Sequence, residues 1–276
     1  MVAYSGGVDS ALLAFLAHQT LGERSVAAIA DSASLPRREF AEAVDLAKQF
    51  EFPIEVVRTQ EFENEDYLSN PVNRCFFCKH ELFTELQPLA REHGCKVIVY
   101  GENASDIGDH RPGGKAAAEF EVRAPLKEVG LSKAEIRELS AQFGLPTASK
   151  PQLACLSSRI PYGERVTPEK LQMIEKAENF LRDSGFRDVR VRHREAAPGY
   201  GVAHGAGGFI ARIEVAPGDV ARLSEADCAA GVEAALATIG YQAIEIDPRG
   251  YRRGSLNEGA PGNPGLHAKP AVAGGA

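Results

Sequence analysis

The chain has 276 residues, of which 44% are apolar and 25% are charged, with a net charge of −7. This composition is typical of a folded globular protein rather than a disordered one, and it excludes collagen and coiled-coil chains. No apolar run reaches the roughly 18 residues that cross a bilayer, and no secretory leader opens the chain, so we expect a cytoplasmic protein without a membrane partner. The acidic balance argues against a nucleic-acid partner.

Strands alternate with helices in the first half of the chain. The predicted strands are 1–4, 25–30, 52–58 and 97–100, and the predicted helices are 11–18, 37–50, 75–93 and 133–143. Such alternation indicates βαβ units and a mainly parallel sheet covered by helices. Ligands of such sheets bind beyond the carboxyl ends of the strands, so we expect segments 5–10, 31–34 and 101–109 to line a site.

The pattern changes beyond two prolines, Pro146 and Pro151. Predicted helices at 168–183, 220–223 and 227–239 then accompany predicted strands at 189–193, 209–215 and 243–246. We therefore predict an α/β domain over 1–150, a second small α+β domain over 151–255 and a disordered tail over 256–276. The glycine-rich segment 195–208 is predicted to be a long hairpin loop.

A glycine-rich string follows the first predicted strand and precedes the first helix: Ser5, Gly6, Gly7, Val8, Asp9 and Ser10. Glycines allow close approach of a phosphate, and the amides at a helix start attract it. The Ser5 and Ser10 hydroxyls add donors, and Asp9 would bind Mg²⁺ against the phosphates. The string lacks the lysine of a Walker loop, which argues against transfer of a γ-phosphate. The alternative is a simple strand-to-helix turn.

Five cysteines are present, and Cys75 and Cys78 form a CxxC pair at a predicted helix start. In a chain without a secretory leader, such a pair indicates metal, cluster or redox chemistry before a structural disulfide. A zinc site of Cys75, Cys78, Cys155 and His80 is one alternative, and a pair of buried thiols is another. Cys95 and Cys228 lie on patterned core segments and are expected to be ordinary buried residues.

Several strings together resemble a known family. Ser5–Ser10 is similar to the PP-loop signature of N-type ATP pyrophosphatases, which cleave ATP between the α- and β-phosphates. Asn73-Arg-Cys-Phe-Phe-Cys-Lys79, Asp106-Ile-Gly-Asp-His-Arg-Pro-Gly113 and Lys150-Pro-Gln-Leu-Ala-Cys-Leu-Ser-Ser-Arg-Ile-Pro-Tyr-Gly163 add a resemblance to the LarE family. This resemblance runs from Ser5 to about Arg253 and implies the PP-loop fold, an adenine nucleotide alpha hydrolase-like parallel sheet.

The resemblance also implies the reaction. Members of the family use ATP to adenylate a carboxylate of pyridinium-3,5-biscarboxylic acid mononucleotide, release pyrophosphate and install a thiocarboxylate in nickel-pincer nucleotide biosynthesis. Adenylation supplies a leaving group, and a sulfur nucleophile then displaces AMP. The expected ligands are ATP, Mg²⁺ and this small nucleotide substrate, and the expected partners are other copies of the chain and proteins of the cofactor pathway.

The family has two sources of sulfur. Three cysteines matching Cys75, Cys78 and Cys155 are suited to a [4Fe-4S] cluster that leaves one iron free for a replaceable sulfide. The alternative is that Cys155 gives up its own sulfur and becomes dehydroalanine. The cluster is the favoured interpretation, with zinc as the alternative metal.

The resemblance implies further site residues. Catalysis is assigned to Cys155, Asp9, Ser158 and Arg159, and nucleotide binding to Ser5, Gly6, Gly7, Asp9, Ser10, Ser32, Gly101 and Asp106. Substrate binding is assigned to Arg111, Arg159, Arg190, Arg192, Arg212 and Glu214, since guanidinium groups suit phosphate and carboxylate. Lys127 and Lys133 are further candidates for neutralising phosphate, although Lys133 also fits an ordinary helix surface.

Two rival functions share parts of this pattern. A PP-loop tRNA thiolase has the loop and, in some members, three cysteines, but the acidic charge disfavours tRNA binding. A nucleotide-binding regulatory domain of the universal-stress type would need neither the CxxC pair nor Cys155.

Overall fold

The computed structural model describes residues 1–106, 113–151, 154–196 and 208–252. The predicted tail over 256–276 and nearly all of the predicted hairpin loop over 195–208 lie outside the described residues. The chain divides into two compact units: Met1–Ser157 with Arg165–Leu171, and Ser158–Glu164 with the described part of 172–276. The predicted domain limits at 150 and 255, and a second domain that folds independently, stay predictions.

The first unit contains a four-stranded sheet flanked by helices. Its strands are β1 (Val2–Tyr4), β2 (Ala27–Asp31), β3 (Ile54–Arg58) and β4 (Val99–Tyr100). Its helices are α1 (Val8–Leu21), α2 (Arg37–Gln49), α3 (Glu65–Leu68), α4 (Arg74–Glu92), α5 (Gly113–Glu119), α6 (Pro125–Glu128) and α7 (Lys133–Gln142). Short 3₁₀ turns cover Gly22–Arg24, Glu61–Glu63, Ala104–Asp106 and Pro146–Ser149, and a further 3₁₀ turn, Leu156–Arg159, spans the chain position where the first unit ends at Ser157.

The sheet order is β3-β2-β1-β4, and every pair of neighbours is parallel. Strands β2 and β3 therefore lie in succession on one side of β1, and β4 lies on the other side of β1. The predicted α/β class and parallel sheet are confirmed. The boundary between β1 and β4 is the topological switch point, where the loops that follow adjacent strands diverge and leave a crevice.

Each face of this sheet has its own apolar core. One core joins α1, α2 and α7 to the sheet through residues such as Leu12, Ile29 and Ile136, and the other joins α4 and α5 through Phe83 and Ala116. Burial on both faces explains why β1 and β2 are almost continuously apolar rather than alternating.

Local signals explain the ends of α7. Ser132 accepts a hydrogen bond from the Glu135 amide while the Glu135 carboxylate accepts from the Ser132 amide, a capping box. Phe143 closes the helix, and Gly144 follows with φ +72°, a conformation that favours glycine. The predicted helix over 133–143 agrees with the observed bounds to within one residue.

The second unit contains a three-stranded sheet in the order β5 (Arg190–Glu195), β6 (Phe209–Glu214) and β7 (Ala243–Ile246). The first pair is antiparallel and the second is parallel. Its helices are α8 (Pro168–Asp183), of which the residues from Gln172 onward belong to this unit, α9 (Val220–Leu223) and α10 (Ala226–Ile239), with a 3₁₀ turn at Pro217–Asp219. A core that includes Leu181, Phe186 and Leu236 packs against one sheet face.

Within the described ranges, no helix combines the length and the apolar character that a bilayer crossing requires.

Candidate active site

The glycine-rich loop lies at the switch point of the first sheet. Ser5–Gly7 connects β1 to α1, and the first residue after the neighbouring strand β4 is Gly101. The helix has 14 residues, so its unpaired amides and its dipole present positive charge at this loop. Both the glycine-rich loop and the segment that begins at Gly101 therefore lie beyond the carboxyl ends of their strands, as predicted.

Two serines shape the loop through their hydroxyl groups. The Ser10 hydroxyl donates to the Gly7 carbonyl at 3.1 Å and accepts from the Ser5 amide at 3.2 Å. The Ser5 and Ser10 hydroxyls are 3.1 Å apart. Gly7 precedes α1 with an extended backbone and no side-chain cap, so a bound anion would satisfy amides that the protein leaves open.

Two glycines are required by close packing. Gly6 has φ +69°, and a Cβ added there would lie 2.5 Å from the Ala43 Cβ. A Cβ at Gly101 would lie 2.7 Å from the Ser10 amide nitrogen. The end of β4 therefore touches the start of α1, and only glycine permits that approach.

Asp9 is held by two residues from distant parts of the chain. The Lys133 Nζ lies 2.6 Å from one Asp9 carboxylate oxygen, and the side-chain amide nitrogen of Asn103 donates to the other oxygen at 3.3 Å. Lys133 begins α7, and its own amide donates to the Ser105 hydroxyl at 3.0 Å. The ammonium group of Lys133 pairs with the loop carboxylate, which favours a role at the nucleotide site over an ordinary position on the helix surface.

Two hydroxyl side chains that follow β2 form a cluster with a carboxylate. The Ser32 hydroxyl donates to the Glu61 carboxylate and lies 2.8 Å from the Ser34 hydroxyl. All three residues are buried. Asp106 is also buried, and its carboxylate accepts a hydrogen bond from the backbone amide of Asn103 at 3.2 Å. This bond stabilises the loop that carries Asn103.

Two of the three candidate thiols are on the first turns of α4. Cys78 is half-buried, and desolvation raises its pKa, followed by the charges of Glu61, Cys155 and Cys75. The Cys75 side chain reaches solvent, yet enough protein surrounds its sulfur that desolvation, and then Cys155, raises its pKa too. The charge of Cys155 therefore adds to burial in opposing the ionisation of both Cys75 and Cys78.

Arg74 is the buried cation beside these thiols. Its guanidinium group donates to the Ser157 carbonyl at 3.0 Å and to the Asn70 side chain, and it lies 4.0 Å from the Cys155 sulfur. The Tyr67 hydroxyl and the Ser157 hydroxyl are 2.7 Å apart. These bonds hold the segment after Cys155 against α4, and the Arg74 charge lowers the pKa of Cys75 and Cys78 against the larger effect of burial.

The donor types fit a thiophilic centre, but the side chains are not in coordination geometry. Within the described ranges, no three His, Cys, Asp or Glu side chains are arranged to hold a metal ion. The His80 ring instead packs against Phe76 and Phe120. Three neighbouring thiols beside a buried guanidinium group are nevertheless suited to iron–sulfur or zinc binding, since both prefer thiolate ligands. Binding would require side-chain movement.

The second unit contains a buried guanidinium and carboxylate network. Arg159 donates to both oxygens of Glu178 at 2.8 and 3.0 Å, and Arg182 donates to one of them at 3.1 Å. Arg159 and Glu178 are 2% and 0% exposed. Burial alone raises the pKa of Glu178, but the Arg159 charge and hydrogen bond outweigh it, so the net pKa is lowered.

The other predicted arginines of this unit are also paired. The Arg192 guanidinium group donates to Glu214 and to the Ser158 carbonyl, both at 2.8 Å, and Arg212 donates to Asp247 at 2.9 Å. Arg190 is 6% exposed, donates to the Val189 carbonyl at 2.7 Å and stacks on the Tyr251 ring at 4.8 Å. Desolvation lowers the pKa of Arg190.

The predicted residues therefore fall into groups. The structure brings the loop, Gly101 and Asp9 together, and it brings the three cysteines into one neighbourhood. Ser158, Arg159, Arg190, Arg192, Arg212 and Glu214 all lie in the second unit. Arg111 lies outside the described residues, and Cys95 and Cys228 are half-buried against apolar cores.

Sequence reasoning missed Glu61, Arg74 and Glu178. All three are charged residues in stretches of ordinary polarity, and their burial has no local sequence signal. Arg74 directly precedes Cys75, and this adjacency was the one available hint.

No protein-family model matches the chain. An uncharacterized protein of Synechocystis sp., slr1717, is 40% identical over 257 residues, which cover 93% of this chain and 91% of that protein. The pyridinium-3,5-bisthiocarboxylic acid mononucleotide synthase of Lactiplantibacillus plantarum is 29% identical over 261 residues, 93% of this chain and 88% of that enzyme. A glutamine-hydrolyzing GMP synthase chain of Archaeoglobus fulgidus is 26% identical over 204 residues, 66% of this chain and 64% of that one.

The fold and the glycine loop define a PP-loop enzyme, and the similarity to GMP synthase agrees with that class. The chain belongs to the LarE-type family of PP-loop enzymes, on similarity that extends over nearly its whole length. It is an ATP-dependent sulfur transferase. The resemblance inferred from the sequence is confirmed.

Proposed function

We propose that this enzyme converts the carboxylates of pyridinium-3,5-biscarboxylic acid mononucleotide into thiocarboxylates, a step of nickel-pincer nucleotide biosynthesis. The observation that carries the proposal is the full-length similarity to a synthase whose name states the bisthiocarboxylic product. The loop at the switch point and the three neighbouring thiols support it, since they supply nucleotide binding and sulfur chemistry within one unit.

The first step is adenylation. A substrate carboxylate oxygen attacks the α-phosphorus of ATP, the bond to the bridging oxygen breaks, and pyrophosphate leaves with both electrons of that bond. The amides at the start of α1 and the Ser5 and Ser10 hydroxyls bind the departing phosphates. Lys133 would pair with these phosphates instead of with Asp9, and Asp9 would hold Mg²⁺, a hard cation that prefers carboxylate oxygens.

The second step is sulfur transfer. A sulfur nucleophile attacks the acyl carbon of the mixed anhydride, and the bond from that carbon to the AMP oxygen breaks to release AMP. Cys75, Cys78 and Cys155 would hold a [4Fe-4S] cluster, which when bound supplies a replaceable sulfide. Arg74, whose guanidinium group lies 4.0 Å from the Cys155 sulfur, would place a positive charge beside the bound sulfur centre.

The arginines of the second unit are proposed to bind the substrate anions. Arg159, Arg190, Arg192 and Arg212 would supply guanidinium groups for the phosphate and carboxylates. Two of them are oriented by hydrogen bonds: Arg159 donates to the Ser158 hydroxyl at 2.9 Å, and Arg192 donates to Glu214 at 2.8 Å. Arg111 is proposed for the same role, with Ser32, Gly101 and Asp106 lining the nucleotide site. Assembly into homo-oligomers stays a prediction.

The test follows pyrophosphate and thiocarboxylate separately under anaerobic conditions. Cys155→Ala should keep pyrophosphate release and lose thiocarboxylate, because the thiol acts only after adenylation. Cys228→Ala, which changes a half-buried cysteine of the second unit, is the matched control and should keep both. Thiocarboxylate formation by Cys155→Ala would remove Cys155 from the mechanism.

Iron and acid-labile sulfide analysis identifies the sulfur source. A reconstituted wild-type protein that contains both and turns over repeatedly supports the cluster. A protein without iron that loses the mass of H₂S at Cys155 during one turnover supports the sacrificial route. Absence of pyrophosphate release with this substrate would refute the proposed function.

A further inference from the structure

Lys150 begins the sequence string that contains Cys155, and the reaction described above gives it no role. Its ammonium group lies 2.6 Å from a Glu39 carboxylate oxygen and 2.9 Å from a Glu42 carboxylate oxygen, both on α2. The Lys150 and Glu39 side chains are only 14% and 10% exposed. Because a buried ammonium group needs charged partners, these two carboxylates fix the Lys150 side chain on α2.

The backbone of Lys150 is held as well. The Arg137 guanidinium group on α7 donates to the Lys150 carbonyl at 2.7 Å and to the Ala148 carbonyl. Lys150 itself has an extended backbone, with φ −63° and ψ 131°, the conformation that a following proline such as Pro151 imposes. The chain therefore leaves Lys150 in a fixed direction on its way to Cys155.

The two helices that hold Lys150 also adjoin the nucleotide loop. A Cβ added at Gly6 would lie 3.8 Å from the Glu39 carbonyl oxygen, so the turn of α2 that pairs with Lys150 packs beside this loop. On α7, Lys133 lies one turn before Arg137 and pairs with the loop carboxylate. Lys150 is thus attached to the same two elements that surround the nucleotide loop.

Cys155 is attached to the protein on both sides. It follows Lys150 by five residues, a length of chain that spans at most about 18 Å. On its other side, the Leu156 amide donates to the Ser34 carbonyl at 2.8 Å. All of these residues belong to the first unit. Without the Lys150 ion pairs, the segment before the sulfur would lose its side-chain attachment to α2.

We propose that Lys150 is a positioning residue that holds the segment carrying Cys155 in place relative to the nucleotide loop. The inference rests on the proposed function, in which Cys155 acts after adenylation. Sulfur transfer requires the reacting atoms to approach within about 3–3.5 Å, so it depends on where this segment lies. Lys150 acts through the position of Cys155 and contacts neither the nucleotide nor the sulfur.

The test makes three measurements on each variant under anaerobic conditions. They are pyrophosphate release, thiocarboxylate formation, and the rate at which iodoacetamide alkylates Cys155 in the metal-free protein, read by peptide mass spectrometry. Lys150→Met removes the ammonium group, and Lys150→Arg keeps a cation. Lys48→Met is the matched control, because it removes an ammonium group from an exposed pair with Asp45 on the same helix.

Lys150→Met should keep pyrophosphate release and lower thiocarboxylate formation by up to about 10²-fold, the effect of misplacing a reacting group by about 1 Å. Alkylation of Cys155 should become faster, while Cys228 in the same samples reacts at the wild-type rate. Lys150→Arg should restore most of the thiocarboxylate rate, and Lys48→Met should match the wild type throughout. Glu39→Gln should act in the same direction as Lys150→Met, and the double variant should lose little more, because the pair acts as one unit.

A wild-type thiocarboxylate rate together with wild-type alkylation of Cys155 in Lys150→Met would overturn the inference. Parallel loss of pyrophosphate release and thiocarboxylate would also overturn it, since Lys150 would then serve nucleotide binding or folding. If Lys150→Met does not fold, the inference requires Glu39→Gln to separate the two activities and Lys150→Arg to retain both. If the wild type forms no thiocarboxylate, the proposed function fails, and the alkylation rates alone decide whether Lys150 positions Cys155.

Discussion

Replacing Lys133 with Met tests whether its ammonium group serves nucleotide chemistry or merely the fold. The Lys133 and Asp9 side chains are 33% and 19% exposed, and the ion pair measures 2.6 Å. At an effective dielectric constant of about 20, the gross attraction at this distance is about 6 kcal/mol. Desolvation and side-chain ordering cancel most of that energy, and pairs with solvent access usually contribute about 0.2–1 kcal/mol.

We therefore expect Lys133→Met to change the free energy of unfolding by no more than about 1 kcal/mol. Its effect on adenylation should be much larger, because loss of one preorganised group that stabilises developing charge costs about 10²–10³ in rate. The half-saturating Mg²⁺ concentration should fall, since Asp9 no longer pairs with an ammonium group.

The assays are urea unfolding and pyrophosphate release against ATP and Mg²⁺ concentration. Lys48→Met is the control, since it removes an ammonium group from an exposed pair with Asp45 on α2 and should leave pyrophosphate release unchanged. A Lys133→Met enzyme within twofold of the wild-type rate would refute the phosphate role. A loss of stability that accounts for the lost activity would make the pair structural.

Other substitutions test the fold around the two sites. Gly101→Ala should lower the free energy of unfolding by about 1–3 kcal/mol and slow pyrophosphate release, because the new Cβ would lie 2.7 Å from the Ser10 amide nitrogen. Gly114→Ala is the control and should change neither quantity, since a Cβ there meets nothing within 4 Å. Equal urea midpoints for Gly101→Ala and the wild type would contradict the packing argument. Glu178→Gln should cost about 3–5 kcal/mol by leaving Arg159 without its buried partner. Because the folded pKa of Glu178 lies below the ordinary value of 4.5, the stability difference between wild type and this variant should be constant above pH 4.5 and shrink as the pH falls through the lowered pKa. Urea unfolding of both proteins from neutral pH to below the lowered pKa of Glu178 checks this prediction. A stability difference that does not change with pH would count against the ion pair between Arg159 and Glu178.

The parallel sheet and the nucleotide loop could be predicted because their signals are local. Apolar runs mark β1 and β2, and the run Ser5–Ser10 places glycines and hydroxyls where a strand meets a helix. Most predicted bounds lie within about two residues of the observed ones, and the capping box of α7 is visible in the residues themselves.

The partners of charged side chains could not be predicted in the same way. Lys133 is 124 positions from Asp9, and the packing of α7 beside the loop determines their contact. Glu178 lies in a helix whose sequence is rich in charge, so only the tertiary structure shows that it is fully buried.

For this protein, the sequence by itself determined the fold class, the loop and the family, since each depends on residue types at short spacing. Tertiary structure decided which charges are buried and what they face: Lys133 on Asp9, Arg74 beside Cys155 and Glu61 near Cys78. The physical reason is that the free energy of a charge depends on its solvation and on neighbours that are distant in the chain.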